Sequence, residues 1–264
     1  MDNLAPDCAQ LRALCVTAAE AAAALVSDMR ERDDVDVTAT KSSPTDVVTN
    51  ADAAAEKLLR AELLGARPGD GWLGEETGAT STADGDGRVR WIVDPIDGTV
   101  NYLYGLPGWA VSVAAEVAGV VVAGAVVAPT LRQTFSAELG GGATCNGRPI
   151  AVSVQPRLDQ ALVATGFAYR ASVRARQGAA IGQLLPLVRD IRRAGAAAVD
   201  FCALASGRVD AYFERGTSPW DRASGALIAR EAGAVVIEDD EGGVVAAGPV
   251  LIEALQAALR KVGA

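Results

Sequence analysis

The chain has 264 residues, half of them hydrophobic and only 5% aromatic, so its core must be built mostly from Ala, Val and Leu in one large domain or two medium ones. Lys and Arg number 24 against 33 Asp and Glu, a formal net charge of -9, which argues against the basic footprint that nucleic acid requires. Histidine is absent, so a His-based triad, a His general base and a His-ligated zinc site are all excluded.

From Cys8 to Arg30 the chain is rich in Ala and Leu at helical spacing, which predicts a long helix. Cys8 and Cys15 could share one face of it, and no C-x-x-C pair occurs, so the cysteines read as buried thiols of a reduced, cytoplasmic protein. No basic segment precedes the helix, so no secretory leader is expected. A polar loop follows from Glu31 to Val37. Lys41-Ser42-Ser43-Pro44-Thr45-Asp46 reads as a turn, Val47 and Val48 as a short extended piece, and Thr49 or Asn50 as the cap of a second helix ending near Leu64. Taken alone, Asp52 is a first-turn acid favoured by the helix dipole, and Lys41 a solvated loop charge.

Gly71-Trp72-Leu73-Gly74-Glu75-Glu76 reads as a short strand ending in adjacent acids, followed by a loop from Thr77 to Arg88. Within that loop, Asp84-Gly85-Asp86-Gly87 lacks the later ligands and closing glutamate of a calcium loop. The centre of the chain is Trp91-Ile92-Val93-Asp94-Pro95-Ile96-Asp97-Gly98-Thr99-Val100-Asn101. An apolar strand delivers two carboxylates into a turn in which Pro95 fixes φ, Gly98 permits an unusual backbone angle, and Thr99 is placed to cap a helix. Acids this close repel, and a proton or a hard divalent cation would relieve them. The amides after Gly98 favour an anion such as phosphate, so the stretch points to metal-assisted phosphate chemistry, against the plainer reading of a solvated Asp-Pro, Asp-Gly turn.

Beyond it, Trp109 to Val117 and Gly119 to Ala128 predict a β-hairpin, Gln133 to Glu138 a strand, and Cys145-Asn146-Gly147-Arg148 a tight turn. The apolar stretch from Val117 to Pro129 is too short and too rich in Val and Gly for a membrane helix. Near residue 155 turn-linked strands give way to alternating strands and helices, which predicts two domains, 1–155 and 156–264. In the second half, Ala161 to Thr165 and Ala211 to Glu214 read as strands. Ser172 to Leu187, the segment opening after Gly195, and Pro219 to Glu231 before a glycine cap at Gly233 read as helices, as does Leu251 to Val262.

Gly74-Glu75-Glu76, the Asp94 to Asn101 run and Trp220-Asp221-x-Ala223-x-Gly225 with Glu231-Ala232-Gly233 together resemble the inositol monophosphatase family of metal-dependent phosphomonoesterases, its actinobacterial inositol-1-monophosphatases in particular. The Lys41 to Asp46 and Gly207 to Tyr212 runs match as well. The resemblance implies mixed α and β structure, a layered αβαβα sandwich of the inositol monophosphatase and fructose-1,6-bisphosphatase type. It implies magnesium as the cofactor, about two or three ions per site, bound by Glu75, Asp94, Asp97, Asp221 and the Ile96 carbonyl, with Asp52 and nearby Lys41 serving a weaker additional ion. It assigns the phosphate to Gly98 and Thr99, the attacking water to Glu75 and the Thr99 hydroxyl, a sugar-ring hydroxyl to Glu214, and the wall of the same pocket to Gly195, Ala196 and Ala197.

It further implies a homodimer, lithium inhibition, and a small phosphorylated polyol as substrate, with no nucleic-acid or membrane partner. The leading expectation is hydrolysis of inositol 1-phosphate. Histidinol phosphate, fructose 1,6-bisphosphate and a phosphorylated nucleotide are the alternatives of like chemistry, and a catalytically idle regulatory subunit the alternative of another class. A haloacid-dehalogenase-type phosphatase would need D-x-D spacing, whereas two residues separate Asp94 from Asp97. The chain departs from the family in having Ala where Ser or Thr is frequent in the 195–197 segment, and in a short segment from Gly242 to Gly248, expected to be a mere connection.

Overall fold

The computed structural model describes residues 7–81 and 88–264; the Asp84 to Gly87 run lies outside them. Asp7 caps the first helix by accepting from Ala9 N–H, and α1 (Cys8–Glu31) then runs for 24 residues. It is long and apolar enough to cross a membrane, yet Leu11, Cys15, Ala18, Ala22 and Val26 are core residues packed on a sheet. Cys15 and Cys202 are buried, but Cys8 and Cys145 only half so. β1 (Val37–Thr40) and β2 (Val47–Thr49) pair antiparallel across the Lys41 turn. Sequence reading missed β1, because all four of its residues are exposed and no apolar alternation marks it. Thr49 caps α2 (Asn50–Ala66).

β3 (Gly71–Gly74) and β4 (Gly78–Ser81) follow, so the expected loop after Thr77 begins with a strand. Then come β5 (Val89–Asp97), α3 (Thr99–Leu103), β6 (Ala110–Val117), β7 (Val120–Ala128), β8 (Gln133–Glu138), β9 (Gly142–Cys145) and β10 (Arg148–Pro149). Eight of these strands form one sheet in the order β10-β9-β8-β7-β6-β5-β3-β4, antiparallel except where β3 runs parallel to β5. β11 (Leu162–Thr165), α4 (Ala171–Leu184), β12 (Asp190–Arg192), α5 (Ala197–Ala205), β13 (Ala211–Glu214), α6 (Pro219–Glu231), β14 (Val235–Glu238), β15 (Val244–Ala247) and α7 (Ile252–Val262) complete the chain. A second sheet has the order β12-β11-β13-β15-β14, its first three strands parallel.

The Gly242 to Gly248 segment is therefore not a bare connection. β15 pairs with both β13 and β14, and Val244, Ala246 and Ala247 are buried. The layers are α1 and α2, the eight-stranded sheet, α5 and α6, the five-stranded sheet, then α4 and α7: an αβαβα sandwich. Trp72, Trp91 and Tyr102 anchor the core under α1, while Phe201 and Tyr212 anchor the middle core, ring centroids 4.7 Å apart and edge to face.

Candidate active site

Between the sheets lies a cleft of about 860 Å³, built largely from strand ends and helix starts. Along β5, Asp94 pairs with Ser112 and Asp97 with Ala110 of β6, so the strand carries one extra residue. In a regular strand two positions of odd separation face opposite sides. The bulge brings Asp94 and Asp97 to the same cleft, while the Ile96 side chain stays in the core. Gly98 follows at φ 87° and is itself the N-cap of α3; Thr99, expected to be that cap, is the first helical residue. Its hydroxyl turns back to donate to the Ile96 carbonyl at 3.0 Å, and the left-handed cap position falls to the residue without a Cβ.

Glu75 leaves the end of β3 with its N–H donating to Val93 O at 3.2 Å, which carries the β3–β5 ladder one step further and sets Glu75 beside Asp94. The loop is held from below by Glu56, fully buried on α2, whose carboxylate accepts from Glu76 N–H (2.8 Å), Thr77 N–H (3.0 Å) and the Thr77 hydroxyl. Sequence reading did not single out Glu56. Lys41 lies 2.7 Å from Glu75 and 2.6 Å from Glu76. Burial alone would lower its pKa, but the two glutamates outweigh burial and raise it.

Asp52 is the third residue of α2, fully buried, and accepts from Thr49 N–H at 2.7 Å and Thr49 Oγ1 at 2.6 Å. Burial pushes its carboxyl up to about 6. Among the described residues no hydrogen bond joins it to Lys41; Asp52 meets the site through Thr99 Oγ1, 3.4 Å away.

Asp97 accepts from Ala197 N–H (3.2 Å) and Ala198 N–H (2.6 Å), supplying α5 with the cap that its own Ala196 lacks. Ala197 therefore lines the cleft with its amide already engaged, leaving Gly195 and Ala196 as the backbone groups of that wall. Asp221, third residue of α6, accepts from Ser218 N–H at 2.6 Å. Asp52, Asp97 and Asp221 thus each occupy the start of a different helix, where the positive dipole ends offset part of their crowding.

That crowding is severe. Burial first, then repulsion from Glu75, Asp97 and Asp221, holds Asp94 well above the usual carboxylate range, and burial with Asp221 does the same to Asp97. Asp221 is pushed up to about 7, chiefly by burial. Among the described residues no three acids already stand as a closed metal cage. Each has a protein donor instead: Lys41 for Glu75, Ile96 N–H at 3.0 Å for Asp94, the α5 amides for Asp97 and Ser218 for Asp221. The donor set is all hard oxygen, with buried like charges that a divalent cation would neutralise. It fits magnesium rather than zinc or copper.

Across the cleft, Glu214 ends β13 and accepts from Tyr212 Oη at 2.8 Å, its carboxyl raised by burial. Asn101 donates to Gly108 O (2.9 Å) and Ala194 O (2.8 Å), tying the 194–197 wall to the α3 turn. Gly166, which sequence reading missed, sits against Glu214: a Cβ there would lie 2.1 Å from the carboxylate. Its signal was positional, a glycine directly after a strand that proves to be parallel, where ligand crevices form. Gly166→Ala is expected to displace Glu214 and raise KM by about tenfold, the loss of one charge-assisted contact. Magnesium affinity should not change; a shift in magnesium affinity with KM intact would contradict the placement of Glu214 on the substrate side.

The inositol monophosphatase family model matches residues 7–262. Over 233 residues the chain is 48% identical to an inositol-1-monophosphatase of Mycobacterium bovis, covering 84% of this chain and 80% of that protein. It is 37% identical over 256 residues to the Nus factor SuhB of Escherichia coli strain K12, covering 94% of each. Among solved structures, Mycobacterium tuberculosis SuhB superposes with a TM-score of 0.85 at 41% identity, over 97% of this chain and 98% of that one. The inositol monophosphatase from Anabaena does so with a TM-score of 0.83 at 31% identity, over 96% of each. Layering, acidic cleft and whole-chain likeness agree, and the chain belongs to the inositol monophosphatase family.

Proposed function

We propose that the protein is a magnesium-dependent phosphomonoesterase that hydrolyses inositol 1-phosphate to inositol and phosphate by direct attack of water. The carrying observation is the convergence of Glu75, Asp94, Asp97 and Asp221 on one cleft, where, among the described residues, only Glu75 stands in an ion pair, with Lys41. With no histidine in the chain, and with the Ser42 hydroxyl held within its own turn by Asp46 at 2.6 Å, water is the natural attacking group. These four acids and the Ile96 carbonyl would hold magnesium, which when bound would supply charge neutralisation on the phosphate and a lowered pKa for water.

The chain's own groups do the rest. Gly98 and Thr99 present N–H groups that a helix start leaves without internal partners, suited to phosphate oxygens. Thr99 directs its proton to Ile96 O and Asp52, so its lone pairs face outward to accept a hydrogen of the attacking water, which Glu75 orients from its own side. Glu214, fixed by Tyr212, accepts a ring hydroxyl and sets the alcohol in line. Family likeness carries the further reading of a cytoplasmic homodimer, which sedimentation of the purified protein tests.

The experiment is phosphate release with magnesium from inositol 1-phosphate, histidinol phosphate, fructose 1,6-bisphosphate and an adenosine bisphosphate, each with and without lithium. Magnesium-dependent release from inositol 1-phosphate, suppressed by lithium, is expected. Preference for another ester would move the substrate and keep the mechanism. No release from any, with magnesium binding seen by calorimetry, would overturn the reading in favour of a regulatory subunit.

A further inference from the structure

The alcohol side of the cleft holds a buried acid to which hydrolysis as described gives no task. Asp200 is 3% exposed, yet it lines the cleft, so what stays open of its carboxyl group faces the substrate space. It stands in the first turn of α5. With alanine at 196, 197 and 198, no neighbouring hydroxyl competes for it. Among the described residues, nothing donates a hydrogen bond to Asp200 and no cation forms an ion pair with it. Glu75, Asp94, Asp97, Asp221 and Glu214 each have a protein donor. A buried acid without one costs the fold free energy, which a ligand that fills the place would return.

The groups around Asp200 say what that ligand must offer. α5 packs over β13, with Phe201 edge to face on Tyr212, and this sets Asp200 near Tyr212 and Glu214. Arg193 approaches from the turn after β12, and Cys202 lies on the same helix. Asp97, at the end of β5, is turned to the Ala197 and Ala198 amides. Arg193 acts on both Asp200 and Glu214, so one cation serves two acids. Glu214 also accepts from Tyr212 Oη at 2.8 Å, whereas Asp200 has no donor. Glu214 is therefore the member that ionises, and Asp200 the one that keeps its proton. Burial and the charge of Glu214 both push the Asp200 carboxyl well above the usual range. A neutral carboxyl donates, a carboxylate accepts, and a hydroxyl placed between them does both.

We propose that Asp200 is a second residue that binds the substrate's alcohol, donating to the oxygen of the same ring hydroxyl whose hydrogen Glu214 accepts. The hydroxyl is then held at both ends, which fixes its direction as well as its place. The proposal rests on the phosphatase reading and extends its alcohol side. It makes the site discriminate steeply against esters that lack the hydroxyl, because their binding strands a buried donor and a buried acceptor together.

The test uses inositol 1-phosphate as substrate and cyclohexyl phosphate, a ring of the same size without hydroxyls, as a competitive inhibitor of its hydrolysis. Wild type, Asp200→Ala and Asp200→Asn are compared. Alanine is expected to raise KM for inositol 1-phosphate about tenfold, the loss of one hydrogen bond in a buried site, while the inhibition constant of cyclohexyl phosphate and the melting temperature hold. Asparagine, whose Nδ2–H donates from the same place, should recover most of that loss. A KM untouched by alanine, or a KM and an inhibition constant that weaken together, would overturn the contact and leave the phosphatase intact. An asparagine variant as weak as the alanine one would overturn the donated proton. If inositol 1-phosphate is not hydrolysed, the phosphatase reading fails, and calorimetric titration of both esters into the full chain still decides the role of Asp200. Weaker binding of inositol 1-phosphate alone to Asp200→Ala supports it; equal affinities refute it.

Discussion

Asp94→Asn should abolish turnover, lowering kcat/KM by about a thousandfold or more, in a protein that stays folded and melts no earlier than wild type. The amide is isosteric, and its Oδ1 can keep the bond from Ile96 N–H that now spans 3.0 Å. What disappears is one negative charge from a group of four acids, of which Asp94 and Asp97 are buried. Burial and the neighbouring Glu75, Asp97 and Asp221 all act against the ionised form of Asp94. Removing that charge relieves the folded state and costs the unfolded one nothing, so metal-free stability should hold or rise, by roughly 2–4 °C for each kcal/mol in a chain of this size. Added magnesium should then raise the melting temperature of wild type well above that of the variant, because a ligand bound only by the folded state stabilises it by mass action. Normal turnover in Asp94→Asn would remove the acid from the metal site. A variant that fails to fold would show the carboxylate to be structural, and circular dichroism beside the kinetics separates the two.

Much of this site was legible because its signals are local. The acids of β5, the Glu75 pair and Asp221 at the head of α6 sit in compact motifs, and Thr49 announces α2 three residues before Asp52. What the sequence hid depends on pairing between distant segments. The bulge that turns Asp94 and Asp97 to one side exists only against β6, and the partner of Lys41 is set by where β3 and β1 come to lie. The cap of α5 lies a hundred residues upstream in Asp97, so the local sequence around Ala196 shows only alanines. Strand β15 reads as a glycine-bounded connector until β13 and β14 flank it, since four apolar residues alone do not distinguish a central strand from a loop.

The same dependence on distant contacts predicts that Gly225→Val, at a site touching no ligand, will cost both stability and activity. Gly225 lies in the buried face of α6, and a Cβ there would meet Phe201 Cβ at 2.8 Å, Cδ2 at 2.9 Å and Cγ at 3.0 Å. Phe201 has no room to yield: it is fully buried and packed edge to face on Tyr212. Overpacking of that kind costs about 3 kcal/mol at its upper range. The displaced elements are the functional ones. α6 carries Asp221, α5 presents its first amides to Asp97, and Tyr212 holds Glu214. Activity should therefore fall further than the folded fraction accounts for. Gly182→Ala is the control: nothing lies within 4 Å of a Cβ there, and alanine in a helix interior should stabilise by about 0.5–1 kcal/mol without touching turnover. Phe201→Leu placed in the Gly225→Val background should recover part of the loss, since it removes the atoms that clash; in the wild-type background the same change only opens space. A Gly225→Val protein with the melting temperature and kcat/KM of wild type would mean that the α5–α6 contact does not set the position of Asp221, and that the acid is held by its bond to Ser218 alone.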